Sequence, residues 1–171
     1  MSREAVLVLG PESSGTRLIT RILIAAGCHG QDGHQQEWDR ALPGDGRSPL
    51  VWRRSFPHGG RWPDVATMVH RLRQRGYAVK AVILAREPQA LERSQLRAGH
   101  VGDVEEARRR IQEAYRRILT GLAEAGVAYI LVPYEALVLH PAPVQAYLAR
   151  RLGLPVAPYV TVYDGNEKWY A

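Results

Sequence analysis

The chain has 171 residues, of which 46% are apolar, with one cysteine and a formal net charge of +6. That length and apolar content suit a single globular domain, 1–171, with a sizeable core. No apolar run reaches membrane-spanning length and no apolar stretch of the secretory type follows Met1, so a cytoplasmic location is expected. Cys28 alone excludes an intrachain disulfide and a cysteine-based metal cluster; at the end of a helical pattern it reads as a small buried hydrophobe. The positive balance suits nucleic acid, an anionic cofactor or an acidic acceptor, and nearly all of it is arginine, lysine standing only at Lys80 and Lys168.

Val6, Leu7, Val8 and Leu9 read as a buried strand. Gly10, Pro11, Glu12, Ser13, Ser14 and Gly15 follow as a turn whose residue types expose backbone N–H groups. Thr16 is expected to cap a helix in which Leu18, Ile19, Ile22 and Leu23 recur at helical spacing. Strand, glycine-containing loop and helix N-terminus together make an anion site, because unpaired amides and the helix dipole converge on one spot. Gly10 and Gly15 keep the spacing of a nucleoside-triphosphatase P-loop, but Thr16 stands at its lysine and Arg17 at its magnesium-binding hydroxyl. Arginine cannot ligate magnesium, so the loop suits a phosphate-like anion better than magnesium-ATP.

A polar, glycine- and histidine-rich stretch comes next, a variable loop region near 27–49 that is long enough to form a substrate loop or lid. Leu50, Val51 and Trp52 read as a second strand, ended by Pro57, Gly59 and Gly60. Asp64 is placed to cap a helix through Val65, Met68, Val69 and Leu72, stopping near Gly76. Residues 79–85 form a third strand, and Pro88 opens a short helix carrying Leu91, Ser94 and Gln95. A long helix is expected over 104–125, a strand over 127–132 and a last helix over 141–152, before a tail of little periodicity. In the long helix Arg108, Arg109, Arg110, Arg116 and Arg117 alternate with Glu105, Glu106 and Glu113, the pattern of a solvated, ion-paired face.

Strands alternating with helices predict an α/β, P-loop-like fold: a parallel sheet of about four to five strands with helices on both faces. Ligands on such sheets lie beyond the carboxyl ends of the strands. The loop after strand one, the turn at 55–60 and Arg86 all sit at those ends.

Three segments, in order, resemble the sulfotransferases that use 3′-phosphoadenosine 5′-phosphosulfate. Pro11-Glu-Ser-Ser-Gly-Thr-Arg17 is similar to the family's P-K-S-G-T-T loop for the 5′-phosphosulfate. Arg86 at a strand end and Ser94 eight residues later have the spacing of its 3′-phosphate site. Tyr134-Glu135-Ala136-Leu137, then Pro141 and a helix ending in Leu152-Gly-Leu-Pro155, are similar to its Y-E-D-L segment and trailing helix. The likeness implies phosphosulfate contacts from Pro11, Ser13, Ser14, Gly15, Thr16 and Arg17, 3′-phosphate contacts from Arg86 and Ser94, and Tyr134 beside the adenine. Arginine offers a permanently charged, bidentate grip on phosphate, and a helix-borne hydroxyl adds a donor. The chain departs from the family in placing Glu12 where a Lys or Arg usually follows the proline, and in lacking the C-terminal R-K-G-x-x-G segment, for which Lys168 is a partial replacement.

The family's K-T-H-L-P run corresponds to Arg53-Arg54-Ser55-Phe56-Pro57-His58. Aligned on the proline, Arg53 takes the place of the lysine near the leaving oxygen and Ser55 that of the histidine. His58 follows the proline and is the first candidate for the acceptor's base, with a side chain whose ordinary pKa suits the task; Glu12 is the second. The catalytic set is therefore His58, Arg53 and Arg17. The expected donor is 3′-phosphoadenosine 5′-phosphosulfate, with no metal, and the expected partner a small-molecule or glycan acceptor bearing a hydroxyl or amine, with no membrane. His29, His34, His70, His100 and His140 show no metal-ligand spacing and read as surface or loop residues. The competing readings are a small P-loop phosphotransferase, a basic nucleotide- or nucleic-acid-binding protein, and a fold relative that binds nucleotide without chemistry. Missing loop residues weigh against the first, and an arginine-rich helix with Tyr115 as its single aromatic against nucleic acid.

Overall fold

Strand β1 (Arg3–Pro11) is the axis on which the rest is assembled. Its side chains alternate between two faces: Ala5, Leu7 and Leu9 enter one apolar cluster, Val6 and Val8 another. A near-continuous apolar run is what a strand covered on both faces requires. The computed structural model describes residues 3–32, 49–155 and 158–170. Most of the expected variable loop near 27–49, with His34, lies outside the described residues.

β1 is flanked by β2 (Leu50–Phe56) and β3 (Tyr77–Ala85), and β3 by β4 (Tyr129–Pro133). The order β2-β1-β3-β4 is parallel throughout, giving the four-stranded parallel sheet with helices on both faces that the strand–helix alternation predicts. On one face α2 (Val65–Gln74) and α4 (Val104–Glu124) bring Met68, Leu72, Ile118 and Leu122 against Leu7, Trp52 and Ile83. On the other, α1 (Thr16–Ala25) and α6 (Pro141–Leu152) set Ile19, Ile22, Leu148 and Leu152 against Val6, Val8 and Val82. Each such side chain, fully buried, contributes about 1.5–3 kcal/mol, so both faces are needed to hold the sheet. Cys28 joins the second cluster, where burial pushes its thiol up to about 12.

β1 leads to α1 on one face, whereas its neighbour β3 leads through α3 (Pro88–Arg97) to α4 on the other. Chain direction diverges there, at the carboxyl ends of β1 and β3, the usual ligand position in open α/β sheets; the cavity lies one strand over, at the carboxyl ends of β1 and β2.

Local chemistry explains most boundaries. The Asp64 side chain accepts from the Thr67 amide at 2.9 Å and caps α2, and Pro88 occupies the first turn of α3. Arg108, Arg110, Arg116 and Arg117 pair with Glu92, Glu106 and Glu113 at 2.5–2.8 Å, the ion-paired face expected of the long helix. Two expectations are corrected. Thr16 does not cap α1: it is the first helical residue, and Gly15 is the N-cap, in the left-handed region at φ 99° without a side-chain bond. The chain enters the helix through a conformation that favours glycine, and a Cβ on Gly15 would sit 2.9 Å from the Tyr134 ring. β2 runs on to Phe56 instead of ending at Trp52, because Arg53 and Arg54 are buried strand residues. In the tail of little periodicity the one helix among the described residues is the short α7 (Glu167–Tyr170), and a short α5 (Tyr134–Leu139) precedes α6. No helix among the described residues is long and apolar enough to cross a membrane.

Candidate functional site

The carboxyl ends of β1 and β2 border a cavity of about 850 Å³. Its floor is the loop after β1, with Glu12, Ser13, Gly15, Thr16 and Arg17, and one wall is the end of β2 with Arg53, Ser55 and His58. Gly59, Gly60, Arg61 and His100 complete the described lining. The loop and wall are adjacent because Gly10 pairs in register with Ser55 and the Glu12 amide donates to the Phe56 carbonyl at 3.3 Å.

In the loop the Ser14 amide turns back to the Pro11 carbonyl at 3.1 Å, so it is engaged within the turn. The first-turn N–H groups of α1, at Thr16 and Arg17, are those that helix geometry leaves without an intrahelical acceptor. Ser13 has φ 68°, a left-handed conformation uncommon for a residue with a side chain. Such strain, about 1–3 kcal/mol, persists only where surrounding contacts enforce it.

Electrostatically the cavity favours anions. Among its described lining, Arg17, Arg53 and Arg61 face one carboxylate, Glu12. Burial pulls the Arg53 guanidinium below its ordinary pKa, nearby Arg17 pulls it further, and Asp32 acts in the opposite direction. Arg17 Nε donates to the Asp32 carbonyl at 3.1 Å, which steadies its stem at the rim. Burial raises the Glu12 carboxyl above its usual range, partly offset by His100 and Arg110; His100 Nδ1 lies 4.0 Å from it. The Ser55 hydroxyl lies 3.1 Å from His58 Nδ1.

Arg86 and Tyr134 form a second cluster behind the loop. The Arg86 guanidinium donates from Nη1 to the Ser13 carbonyl (2.7 Å), from Nη2 to the Gly165 carbonyl (2.9 Å) and from Nε to Asn166 Oδ1 (2.6 Å). It lies over the Tyr134 ring, 4.8 Å from the centroid. The Tyr134 hydroxyl donates to the Tyr163 carbonyl at 3.0 Å and accepts from the Gly165 amide at 2.7 Å. Gly165 has no room for a side chain, since a Cβ would meet Tyr134 Oη at 2.9 Å. Asn166, buried, also donates to Glu135 Oε1 at 2.8 Å.

Ser13, Gly15, Thr16, Arg17, Arg53 and His58 therefore come together on one cavity. Arg86 and Tyr134 meet the same loop from behind through Ser13. Pro11 ends β1 at the loop's root, and Ser14 is fully buried beneath the loop. Ser94 is half-buried on α3 and is not among the cavity's lining. His100 and the tail residues Gly165 and Asn166 are the members that sequence reasoning missed. His100 is a lone histidine after Gly99, brought to Glu12 only by the return of α3. Among the described residues no group of three His, Cys, Asp or Glu side chains is placed to hold a metal.

The solved structures similar to this chain include two sulfotransferase domains. The sulfotransferase domain from the curacin biosynthetic pathway aligns with a TM-score of 0.62 at 15% identity, over 92% of this chain and 76% of that one. The sulfotransferase domain from the Synechococcus PCC 7002 olefin synthase aligns at 0.56 and 18% identity, over 90% and 74%. No family model matches the chain, and no curated protein does. The two likenesses are likenesses of fold: this chain has the α/β fold of those sulfotransferase domains, a four-stranded parallel sheet flanked by helices.

Proposed function

We propose that this protein transfers a sulfuryl group from 3′-phosphoadenosine 5′-phosphosulfate to a hydroxyl or amine of a small-molecule or glycan acceptor. The observation that carries the reading is the single cavity shared by the anion loop, Arg17, Arg53 and His58. The fold likeness to two sulfotransferase domains supports it.

Sulfuryl transfer is an in-line displacement in which positioning and charge stabilisation dominate, as in phosphoryl transfer. The acceptor oxygen or nitrogen bonds to sulfur as the bond from sulfur to the 5′-phosphate oxygen breaks, and that oxygen keeps the electron pair. Arg17, Arg53 and the first amides of α1 would hold the charge building there. His58 would take the acceptor's proton, a contribution of typically ~10²–10⁴-fold. Arg86, Ser94 and Tyr134 would receive the 3′-phosphate and adenine side of the donor. Magnesium has no role in this scheme, because Arg17 stands where a magnesium-binding hydroxyl would be.

Calorimetric titration with adenosine 3′,5′-bisphosphate, AMP, ATP and a DNA oligomer, with and without magnesium, tests the donor half. The bisphosphate should bind more tightly than AMP, with no dependence on magnesium. Equal affinity for both removes the 3′-phosphate assignment, and a preference for magnesium-ATP favours a phosphotransferase. Transfer of labelled sulfate to water, sugars, phenols and alkylamines tests the acceptor half. His58→Ala should slow turnover by ~10²-fold or more with donor binding nearly unchanged.

A further inference from the structure

We propose that Ser55 is a positioning residue for His58, holding the imidazole by Nδ1 so that the ring turns its Nε2 lone pair toward the acceptor. The proposal rests on the reading above in which His58 takes the acceptor's proton.

The local geometry favours a fixed ring. Alternation along β2 sends Trp52 and Phe56 into the core cluster, while Arg53 and Ser55 line the cavity. Ser55 is thus a strand residue, paired with Gly10, and its hydroxyl projects from a rigid base. Beyond Pro57 the chain reverses tightly. The His58 amide donates to the Arg61 carbonyl at 2.7 Å and the Arg61 amide returns a bond to His58 at 3.1 Å. Gly59 and Gly60 take φ 56° and 75°, the positive pair that such a two-residue turn requires. The backbone of His58 is therefore pinned on both sides, and Ser55 Oγ, 3.1 Å from Nδ1, pins the ring.

The chemistry follows from the two ring nitrogens. A neutral imidazole has one donor and one acceptor nitrogen, and the bond made by one decides the role of the other. With Nδ1–H donating to Ser55 Oγ, the lone pair is on Nε2. As the acceptor oxygen bonds to sulfur, its proton passes to Nε2. The resulting imidazolium keeps its Nδ1–H bond to the serine oxygen, which stabilises the cation in the way that an orienting partner does in other histidine bases. Ser55 touches neither donor nor acceptor in this scheme, and no covalent bond to it forms.

Long-range proton–nitrogen NMR spectra of the full chain, labelled with ¹⁵N-histidine, read the tautomer without any substrate. His58 is assigned by its loss in His58→Gln. Wild type and Ser55→Thr should hold neutral His58 with the proton on Nδ1, and Ser55→Ala should move it toward Nε2. Transfer to the best acceptor of the panel should fall roughly tenfold in Ser55→Ala, the size of one lost orienting hydrogen bond, with donor KM unchanged. Ser55→Thr should recover it, and Ser55→Ala/His58→Gln should be no slower than His58→Gln alone. Unchanged bisphosphate affinity certifies that each variant is folded. An Nε2–H tautomer in the wild type, an Ser55→Ala spectrum like the wild type, or additive losses in the double variant each overturn the proposal. An impaired His58→Gln with wild-type turnover in Ser55→Ala removes Ser55 alone. Wild-type turnover in His58→Gln removes the base assignment and, with it, the part of Ser55 in catalysis.

Discussion

Arg86 at the end of β3 holds the carbonyl of Ser13 at 2.7 Å, and Ser13 is the one non-glycine described residue in the left-handed region. The bond joins the carboxyl end of β3 to the loop after β1, and it fixes the strained residue of the anion loop from behind. Arginine can do this because its planar fork offers five N–H groups, of which three here reach Ser13, Gly165 and Asn166.

Arg86→Ala should lower thermal stability and weaken adenosine 3′,5′-bisphosphate binding by roughly 10–150-fold, the span of a lost charge-assisted contact. Calorimetry against both the bisphosphate and AMP separates two roles. A selective loss for the bisphosphate marks contact with the 3′-phosphate, whereas an equal loss for both marks bracing of the loop alone.

Arg17→Ala should weaken the bisphosphate by about tenfold, with a shallower dependence of affinity on salt, because one charge-assisted contact to the 5′-phosphate is removed. Arg17 is exposed, and its Nε donates to the Asp32 carbonyl at the rim, so the fold should be unaffected. Full donor affinity in this variant would sink the assignment of the loop.

Glu12→Gln should raise the melting temperature near neutral pH and leave it unchanged near pH 4. Burial lifts the folded-state pKa of Glu12 above its ordinary 4.5. The protonated carboxyl is thus favoured in the folded chain, so its contribution to stability is full below 4.5 and is lost as pH rises through the folded value. Glutamine stays neutral throughout and escapes that loss. Melting curves from pH 4 to 8 check the sign, and parallel curves for the two proteins would refute it.

Gly15→Ala should destabilise the fold by about 1–2 kcal/mol or more and reduce anion affinity. Its φ of 99° is strained for any residue with a Cβ, and that Cβ would press on the Tyr134 ring at 2.9 Å. Chemical denaturation gives the first quantity and bisphosphate titration the second.

How far the sequence foretold these contacts depends on whether the information was local. The Asp64 cap, the Pro88 start of α3 and the buried strands at Val8 and Ile83 are written in neighbouring residues, and each is where the pattern puts it. Arg53 and Arg54 misled the reading of β2, because two charges in succession look like a strand's end, whereas here both are buried and Arg54 stacks 5.0 Å from the Trp52 ring. Gly165 and Asn166 gave no periodic signal at all. Their place is set by hydrogen bonds to Arg86, Tyr134 and Glu135, distant in the chain, and only tertiary structure shows such pairings. The loop's chemistry was legible in Ser13, Thr16 and Arg17, but the pinning of His58 by Ser55 needed the turn at Gly59 and Gly60 to be seen.

The docked tail also gives the molecule an optical reporter. Arg97 and Lys168 stand over the Trp169 ring at 5.7 and 4.8 Å, and Arg93 donates to the Trp169 carbonyl, so this indole sits among cations on the same short segment that clasps Arg86. Trp52 is wholly enclosed in the core and Trp62 lies under Arg117, both away from that segment. Fluorescence from Trp169 would therefore respond when a ligand disturbs the clasp and stay constant when a ligand enters the cavity without touching it. Trp38 lies outside the described residues, so with Trp38→Phe the remaining emission tells occupancy of the two halves of the site apart by light, with no label attached.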